Sequence, residues 1–200
     1  MAVARTVAAV QSPARALPKA VGVVGFALLT ALLAQVTIPV PGSPVPITLQ
    51  TLAVTLAPLA LGAWGGAASM ALYLAFGLVG LPVYAGASGG WQVVQGATFG
   101  YLLGFVLCQP AMAWALGRAK DRAPSLRRAL ASMVVGHAVV FALGLAWLWV
   151  TLNQGERNFG VAETLSLGLW PYLPGSVFKS ALALLVARDL TIWARRQGWR

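Results

Sequence analysis

Residues 170–180 read WPYLPGSVFKS and lie near the end of a strongly hydrophobic chain. Two prolines and a glycine cannot continue a regular helix, so we expect irregular backbone as far as Gly175. Ser176 is a good N-cap for a new helix that contains Lys179. A helix start carries partial positive charge and unpaired N–H groups, and Lys179 adds a full charge there. We therefore predict that this stretch forms the wall of a pocket for a small molecule with an anionic or strongly hydrogen-bonding end.

A lysine in an apolar helix has a second explanation, because long basic side chains often extend to the nearest membrane interface without touching a ligand. Lys179 lies nine residues before Arg188. That separation corresponds to about 13 Å along a helix axis. It is large for a side chain that only reaches the cytoplasmic headgroups, but an extension toward the other membrane face stays open.

The composition identifies the broad class of protein. Of the 200 residues, 59% are hydrophobic and 9% are charged, and no charged side chain occurs from Ala20 through Gly117. A water-soluble domain of this size does not leave such a stretch uncharged. The chain is therefore predicted to be an all-α, polytopic membrane protein with one domain.

Hydrophobic runs predict six transmembrane helices. A basic start before the first run is also found in signal peptides, but the run is long enough to span a bilayer and no convincing cleavage site follows. Trp64-Gly65-Gly66 predicts the turn between the second and third spans. The spans cover about residues 20–40, 47–62, 67–83, 97–117, 129–150 and 164–190, between a basic segment at 1–19 and a basic tail at 191–200.

The net charge of +10 is concentrated in the N-terminal segment, the 118–128 loop and the C-terminal end; apart from Arg157 and Lys179, all lysines and arginines lie there. Six spans put these three regions on one side, and the positive-inside rule makes that side cytoplasmic, with both termini. A nucleic-acid-binding protein needs a basic face on a soluble surface, which this pattern does not supply.

The residue types argue against catalysis. The four acids, Asp121, Glu156, Glu163 and Asp189, lie at predicted membrane edges, so no embedded carboxylate is available. One histidine and one cysteine do not make a metal site, and no phosphate-binding loop for ATP is present. We therefore predict a non-enzyme without metal. An intramembrane hydrolase that pairs Ser176 with His137 is an alternative, although a lone histidine is more often packed and hydrogen-bonded.

Two further regions offer binding groups. Thr48 and Gln50 open the second span, where they cap the helix or face a ligand. The loop 84–92 is rich in glycine, which lets backbone approach a ligand closely, and it also carries aromatic rings; an interfacial aromatic belt is the alternative. Its candidate ligand-binding residues are Tyr84, Gly86, Ser88, Gly90 and Trp91.

Three stretches together resemble a known family. They are PVPITLQTL at 44–52, GLPVYAG at 80–86 continuing to GYLLGF at 100–105, and PYLPGSVFK at 171–179. They are similar to the BioY family, the biotin-binding S components of energy-coupling factor (ECF) transporters, and the likeness covers roughly residues 25–187. The resemblance implies a six-helix bundle in a bacterial or archaeal plasma membrane, with cytoplasmic termini and an outward-facing biotin pocket.

The resemblance also implies roles for particular residues. Lys179 would contact biotin, and the loops after the first and third helices would cover it. Ala27 and Ala31, which share a helix face, would meet the transmembrane T component, and partner ATPases would power transport. Biotin would be the ligand, with no cofactor bound by this chain.

The chain departs from the family pattern at two places. Ser176 stands where the family commonly has a ligand-binding aspartate, and Gly96-Ala97-Thr98-Phe99 replaces a glycine-proline-threonine-glycine run. An S component for another vitamin is therefore the second interpretation. Whether the chain functions alone or as a homo-oligomer stays open.

Overall fold

The structure is a computed structural model that describes residues 13–117, 123–155 and 158–199. Parts of the predicted charge pattern lie outside these residues: the start of the N-terminal segment, residues 118–122 of the basic loop, Glu156, Arg157 and Arg200. The cytoplasmic orientation of the termini therefore stays a prediction.

The described chain is mostly helical, with one small antiparallel hairpin. The hairpin pairs Thr37 with Thr48 and Ile38 with Ile47. The elements in chain order are α1 (Pro13–Ala34), β1 (Thr37–Ile38), β2 (Ile47–Thr48), α2 (Gln50–Leu78), α3 (Phe99–Leu116), α4 (Leu126–Leu152), α5 (Val161–Gly168) and α6 (Leu173–Arg196). Short 3₁₀ turns cover Ala85–Ala87, Trp91–Gln95 and Trp170–Tyr172.

Helix α2 folds back on itself at Gly62. This residue has φ +72° and ψ −173°, which is not a helical conformation. The side-chain amide of Gln50 donates a hydrogen bond to the hydroxyl of Tyr73, 23 residues further along. In one straight helix these residues would be about 34 Å apart, beyond the reach of both side chains. The halves on either side of Gly62 therefore run alongside each other.

The turn predicted at Trp64-Gly65-Gly66 is wrong in position. Residues 64–66 are helical, and the break lies at Gly62, where the positive φ favours glycine. Gly66 has a packing role instead, because an added Cβ would overlap the side chain of Gln109 on α3. Small residues of this kind let helices in a membrane approach closely.

Among the described residues, four helices are long and apolar enough to cross a membrane: the Leu17–Ala34 part of α1, then α2, α3 and α4. Helix α6 is also long, but it contains Lys179, Arg188, Asp189 and two further arginines. The prediction of a helical membrane protein is thus confirmed in this coarser form, while the count of six spans stays a prediction.

The start of α6 differs from the expectation. The backbone breaks at Leu169, makes one 3₁₀ turn and enters α6 at Leu173, so Ser176 lies within the helix and is not its N-cap. Pro174 fits there because the first turn of a helix has no intrahelical partner for its N–H groups. As a result Ser176 and Lys179 lie three residues apart on one helix, and both are buried.

Candidate functional site

A cavity of about 270 Å³ lies where the N-terminal parts of α2, α3 and α6 meet the middle of α4. Strand β2, the end of the loop before it, the loop before α3 and the 3₁₀ turn before α6 also contribute to its wall. The volume is close to the lower end of the range for small-molecule sites, about 300–1,000 Å³. Because helix N-termini carry partial positive charge, this arrangement favours a ligand with an anionic or electron-rich group.

Lys179 extends from α6 into this cavity. Its side chain is only 6% exposed, and its Nζ donates a hydrogen bond of 2.7 Å to the backbone carbonyl oxygen of Thr48. A lysine ammonium has three donors, so two remain for other partners. Within the described part of the chain, the cavity lining contains no aspartate or glutamate that would neutralise this charge. The site therefore offers a buried cation to a ligand.

A chain of hydrogen bonds leads away from Lys179 into the bundle. The Thr48 hydroxyl donates to Gln50 Oε1 at 2.8 Å, and the Gln50 amide donates to the Tyr73 hydroxyl. The Tyr73 hydroxyl in turn donates to the Val83 carbonyl oxygen at 3.3 Å. These bonds tie β2, both halves of α2 and the loop after α2 together behind the cavity wall. Thr48 and Gln50, which were predicted to bind ligand, both line the cavity but also have this structural role.

Residues around the start of α6 form the adjoining wall. Ser176 is buried and lines the cavity with Lys179. The hydroxyl of Tyr172 donates to the Val45 carbonyl oxygen and lies 2.9 Å from the hydroxyl of Ser43. Ser43 donates in turn to the Leu167 carbonyl oxygen at 2.7 Å. The proline-rich loop between β1 and β2 is thereby bound to the segment that enters α6.

The loop 84–92 contributes only part of its predicted residues to the cavity. Tyr84 and Ser88 line it, whereas Gly86, Gly90 and Trp91 do not. The ring of Trp91 is 68% exposed. Tyr84 is buried against Gly77, and its hydroxyl donates to the Leu74 carbonyl oxygen at 2.6 Å. Ligand contacts by Gly86, Gly90 and Trp91 stay predictions.

The predicted partner-contact residues occupy different environments. Ala27 is completely buried in the hydrophobic core of this chain, while Ala31 is partly buried and packs against that core. A contact of either residue with another subunit stays a prediction.

Several lining residues were not among the predicted ligand-binding residues. His137 contributes a ring nitrogen, and Thr51 and Thr98 contribute hydroxyl groups. Aromatic rings from α3, α4 and the 3₁₀ turn before α6 add flat surface. The sequence signal for His137 was weak because one histidine in an apolar helix is more often packed than functional. The missed aromatic residues are Tyr101, Phe105, Phe141 and Tyr172.

Comparison with known proteins places this geometry in a family. The model of the BioY family matches residues 6–197. The chain belongs to the BioY family. Its relatives include the biotin transporter BioY of Rhodobacter capsulatus, 33% identical over 74% of this chain and 80% of that protein. The biotin transporter BioY of Thermotoga maritima is 35% identical over 76% of this chain and 85% of that protein.

A solved structure shares the fold of this BioY-family chain. It is a crystal structure of the S-component for biotin from an ECF-type ABC transporter, with a TM-score of 0.79 and 24% identity. The match covers 90% of this chain and 93% of the other. The family resemblance inferred from three sequence stretches is confirmed, and each stretch contributes residues to the cavity wall.

Proposed function

We propose that this BioY-family chain is the substrate-binding membrane component of a biotin uptake system. It captures biotin from the outer side of the membrane and delivers it inward together with an energy-coupling module. The proposal is supported by family membership and by the names of its relatives. The observation that carries it is a buried lysine, Lys179, which has spare donors and lines a cavity of about 270 Å³.

The lining matches the chemistry of biotin. Its carboxylate and its ureido carbonyl are both acceptors for a lysine N–H, and either group meets Lys179 and Ser176. The fused rings and the aliphatic chain need apolar surface, which the aromatic and aliphatic lining supplies. Tyr84, Ser88, Thr48 and Gln50 complete the binding wall in this proposal. Gly86, Gly90 and Trp91 contribute when the loop 84–92 covers the bound ligand.

In the membrane, α1, the two halves of α2, α3, α4 and the α5–α6 region form six spans. The basic termini and the 118–128 loop lie in the cytoplasm of a bacterial or archaeal cell. The cavity lies near the loops after the first and third spans, on the outer side. This topology is supported by the reversal at Gly62 and by the charge distribution.

The partners are an ECF-type T component and ABC-type ATPases, while this chain itself is not an enzyme. Support comes from the fold shared with an S-component of an ECF-type ABC transporter. In this arrangement the face of α1 that carries Ala27 and Ala31 would contact the T component. Biotin is the transported ligand, with no cofactor held by this chain.

The hydrolase alternative receives no support from the geometry. Ser176 and His137 line one cavity, but the structure leaves His137 Nε2 without a hydrogen-bond partner among the described residues. A serine nucleophile needs a base within hydrogen-bond reach. The alternative of another vitamin rests on Ser176 in the position of the family's aspartate, and the test below distinguishes it.

The test is a calorimetric titration of the full chain, purified in detergent, with biotin. Thiamine and riboflavin are titrated in parallel. Saturable binding of one biotin per chain, with no heat from the other vitamins, is the expected result. If another vitamin binds and biotin does not, biotin would be the wrong substrate, while the cavity would remain the proposed binding site. Absence of binding by all of them would contradict the proposed function.

A further inference from the structure

His137 places an unsatisfied ring nitrogen at the cavity. The residue lies in the middle of α4 and belongs to the cavity lining. Its Nδ1 lies 2.9 Å from the carbonyl oxygen of Met133, one helical turn earlier. Its Nε2 is buried and has no hydrogen-bond partner among the described residues. A buried polar atom without a hydrogen-bond partner is uncommon, and a ligand in the cavity can supply the missing partner.

The bond to Met133 determines which hydrogen-bonding role Nε2 has. A carbonyl oxygen only accepts, so Nδ1 must carry the hydrogen of this bond. In a neutral imidazole the other nitrogen is then an acceptor. A protonated ring would put a second positive charge into the cavity that holds Lys179, whose described lining has no acidic group, and like charges in a desolvated site repel each other. The cavity therefore presents Nε2 as an acceptor.

Three other polar side chains of the wall, Lys179, Ser176 and Thr51, place different requirements on a ligand. Lys179 only donates, and the hydroxyls of Ser176 and Thr51 rotate to donate or accept. Thr51 Oγ1 is also buried without a partner among the described residues, but its hydroxyl places no requirement on the ligand. His137 does, because Nε2 with its lone pair is satisfied only by a donor.

Neighbouring side chains hold the imidazole in this orientation. The ring of Phe141, one turn further along α4, is 6.2 Å away between centroids and tilted by 33°. The hydrogen bond to the Met133 carbonyl oxygen restrains the Nδ1 side of the imidazole. A group whose orientation is fixed before binding discriminates between ligands more strongly than one that can rotate away.

We propose that His137 Nε2 accepts a hydrogen bond from an N–H group of the ligand and makes the site selective for ligands with that donor. The proposal rests on the proposed function, in which the donor is one of the two N–H groups of the ureido ring of biotin. Lys179 then donates a hydrogen bond to an acceptor of the ligand, and His137 accepts one from a donor of the same ligand. A site built to pair a ligand N–H rejects an analogue without it, since buried groups are left unpaired.

The experiment uses two biotin analogues in which one or the other ureido N–H is replaced by a ring oxygen. This change keeps the shape of the ring and converts a donor into an acceptor. Dissociation constants for biotin and both cyclic carbamates are measured by calorimetry on the full chain, on His137→Phe and on His137→Gln. Thermal unfolding without ligand checks that each variant is folded.

For the unaltered chain we expect one carbamate to bind at least about fivefold more weakly than biotin. In His137→Phe the difference between that carbamate and biotin should fall to within about twofold, because the acceptor is gone. His137→Gln should keep part of the discrimination, since its Oε1 accepts a hydrogen bond.

Two results would overturn the proposal while leaving the proposed function intact. One is that the unaltered chain binds biotin and both carbamates with the same affinity. This result does not depend on the folding of any variant. The other is the same discrimination in His137→Phe as in the unaltered chain. If the unaltered chain does not bind biotin at all, the proposed function is wrong and this proposal falls with it.

Discussion

The ammonium group of Lys179 donates a 2.7 Å hydrogen bond to the backbone carbonyl oxygen of Thr48, and this bond connects α6 to strand β2 across the cavity. The two residues are 131 positions apart in the chain. A backbone carbonyl neutralises no charge, so it orients the lysine and leaves its positive charge available to a ligand. Tests of this site therefore begin with Lys179.

Lys179→Ala should weaken biotin binding by about 10- to 150-fold, the range expected for a hydrogen bond that involves a charged group. The fold should persist, because removal of a buried cation also removes its desolvation cost. The measurement is a calorimetric titration, with thermal unfolding of the ligand-free variant. Lys19→Ala on α1, away from the cavity lining, is the matched control and should bind as the unaltered chain does. Equal affinity in Lys179→Ala would remove Lys179 from the site.

Tyr73→Phe should destabilise the wall behind the cavity. The hydroxyl of Tyr73 is the acceptor for the Gln50 amide, and its loss leaves a buried donor unpaired at a cost of about 1–3 kcal/mol. We expect a lower unfolding temperature and weaker biotin binding, since Gln50 positions Thr48. The double variant Tyr73→Phe with Gln50→Leu should lose less stability than the sum of the losses in the two single variants, because both changes remove the same hydrogen bond. Strictly additive costs in the double variant would show that the two residues do not cooperate.

Gly77→Ala should disturb the loop that carries Tyr84. A Cβ at position 77 would overlap the Tyr84 ring, which packs directly on this glycine. The carbonyl oxygen of Gly77 also accepts a 2.6 Å bond from the Gly90 N–H. We expect weaker biotin binding and faster proteolysis within the loop 84–92. Gly25→Ala, where an added Cβ meets nothing within 4 Å, is the control and should leave both unchanged.

Gly62→Ala should lower the stability of the fold, although Gly62 does not line the cavity. Its backbone conformation, φ +72° and ψ −173°, is almost restricted to glycine, and a side chain there costs about 1–3 kcal/mol. The reversal of α2 brings Gln50 to Tyr73, so part of the loss should also appear as weaker binding. The measurement is thermal unfolding in detergent with and without biotin. An unfolding temperature equal to that of the unaltered chain would contradict a strained reversal at this residue.

Local chemistry made several features predictable. Lys179 was identified because a charge in an apolar run is costly and is retained mainly for function. Irregular backbone as far as Gly175 was predicted from Pro171, Pro174 and Gly175, although the chain re-enters the helix three residues before Ser176. The prediction failed there because proline is well accommodated in a first helical turn, so Pro174 lies in the first turn of α6 and does not delay its start.

Other features depend on contacts between distant residues. Trp64-Gly65-Gly66 has the composition of a turn, yet Gly66 is small because Gln109 of another helix packs against it. Similarly, Tyr84 was predicted to contact the ligand, and it lines the cavity, but its position depends on a hydrogen bond from its hydroxyl to the Leu74 carbonyl oxygen. Composition indicates which residues permit close approach, and it does not identify the approaching group.

From the order of its residues alone, the chain establishes a helical membrane protein, its family and a lysine within an otherwise apolar span, because hydrophobicity, charge and short motifs are local properties. The folded arrangement selects the actual cavity wall. It brings Thr48 to Lys179 and places His137 at the same cavity, with Nδ1 at 2.9 Å from the Met133 carbonyl oxygen. These relations arise from packing among helices that are far apart in the chain, where small differences in side-chain volume and hydrogen bonding decide which groups meet.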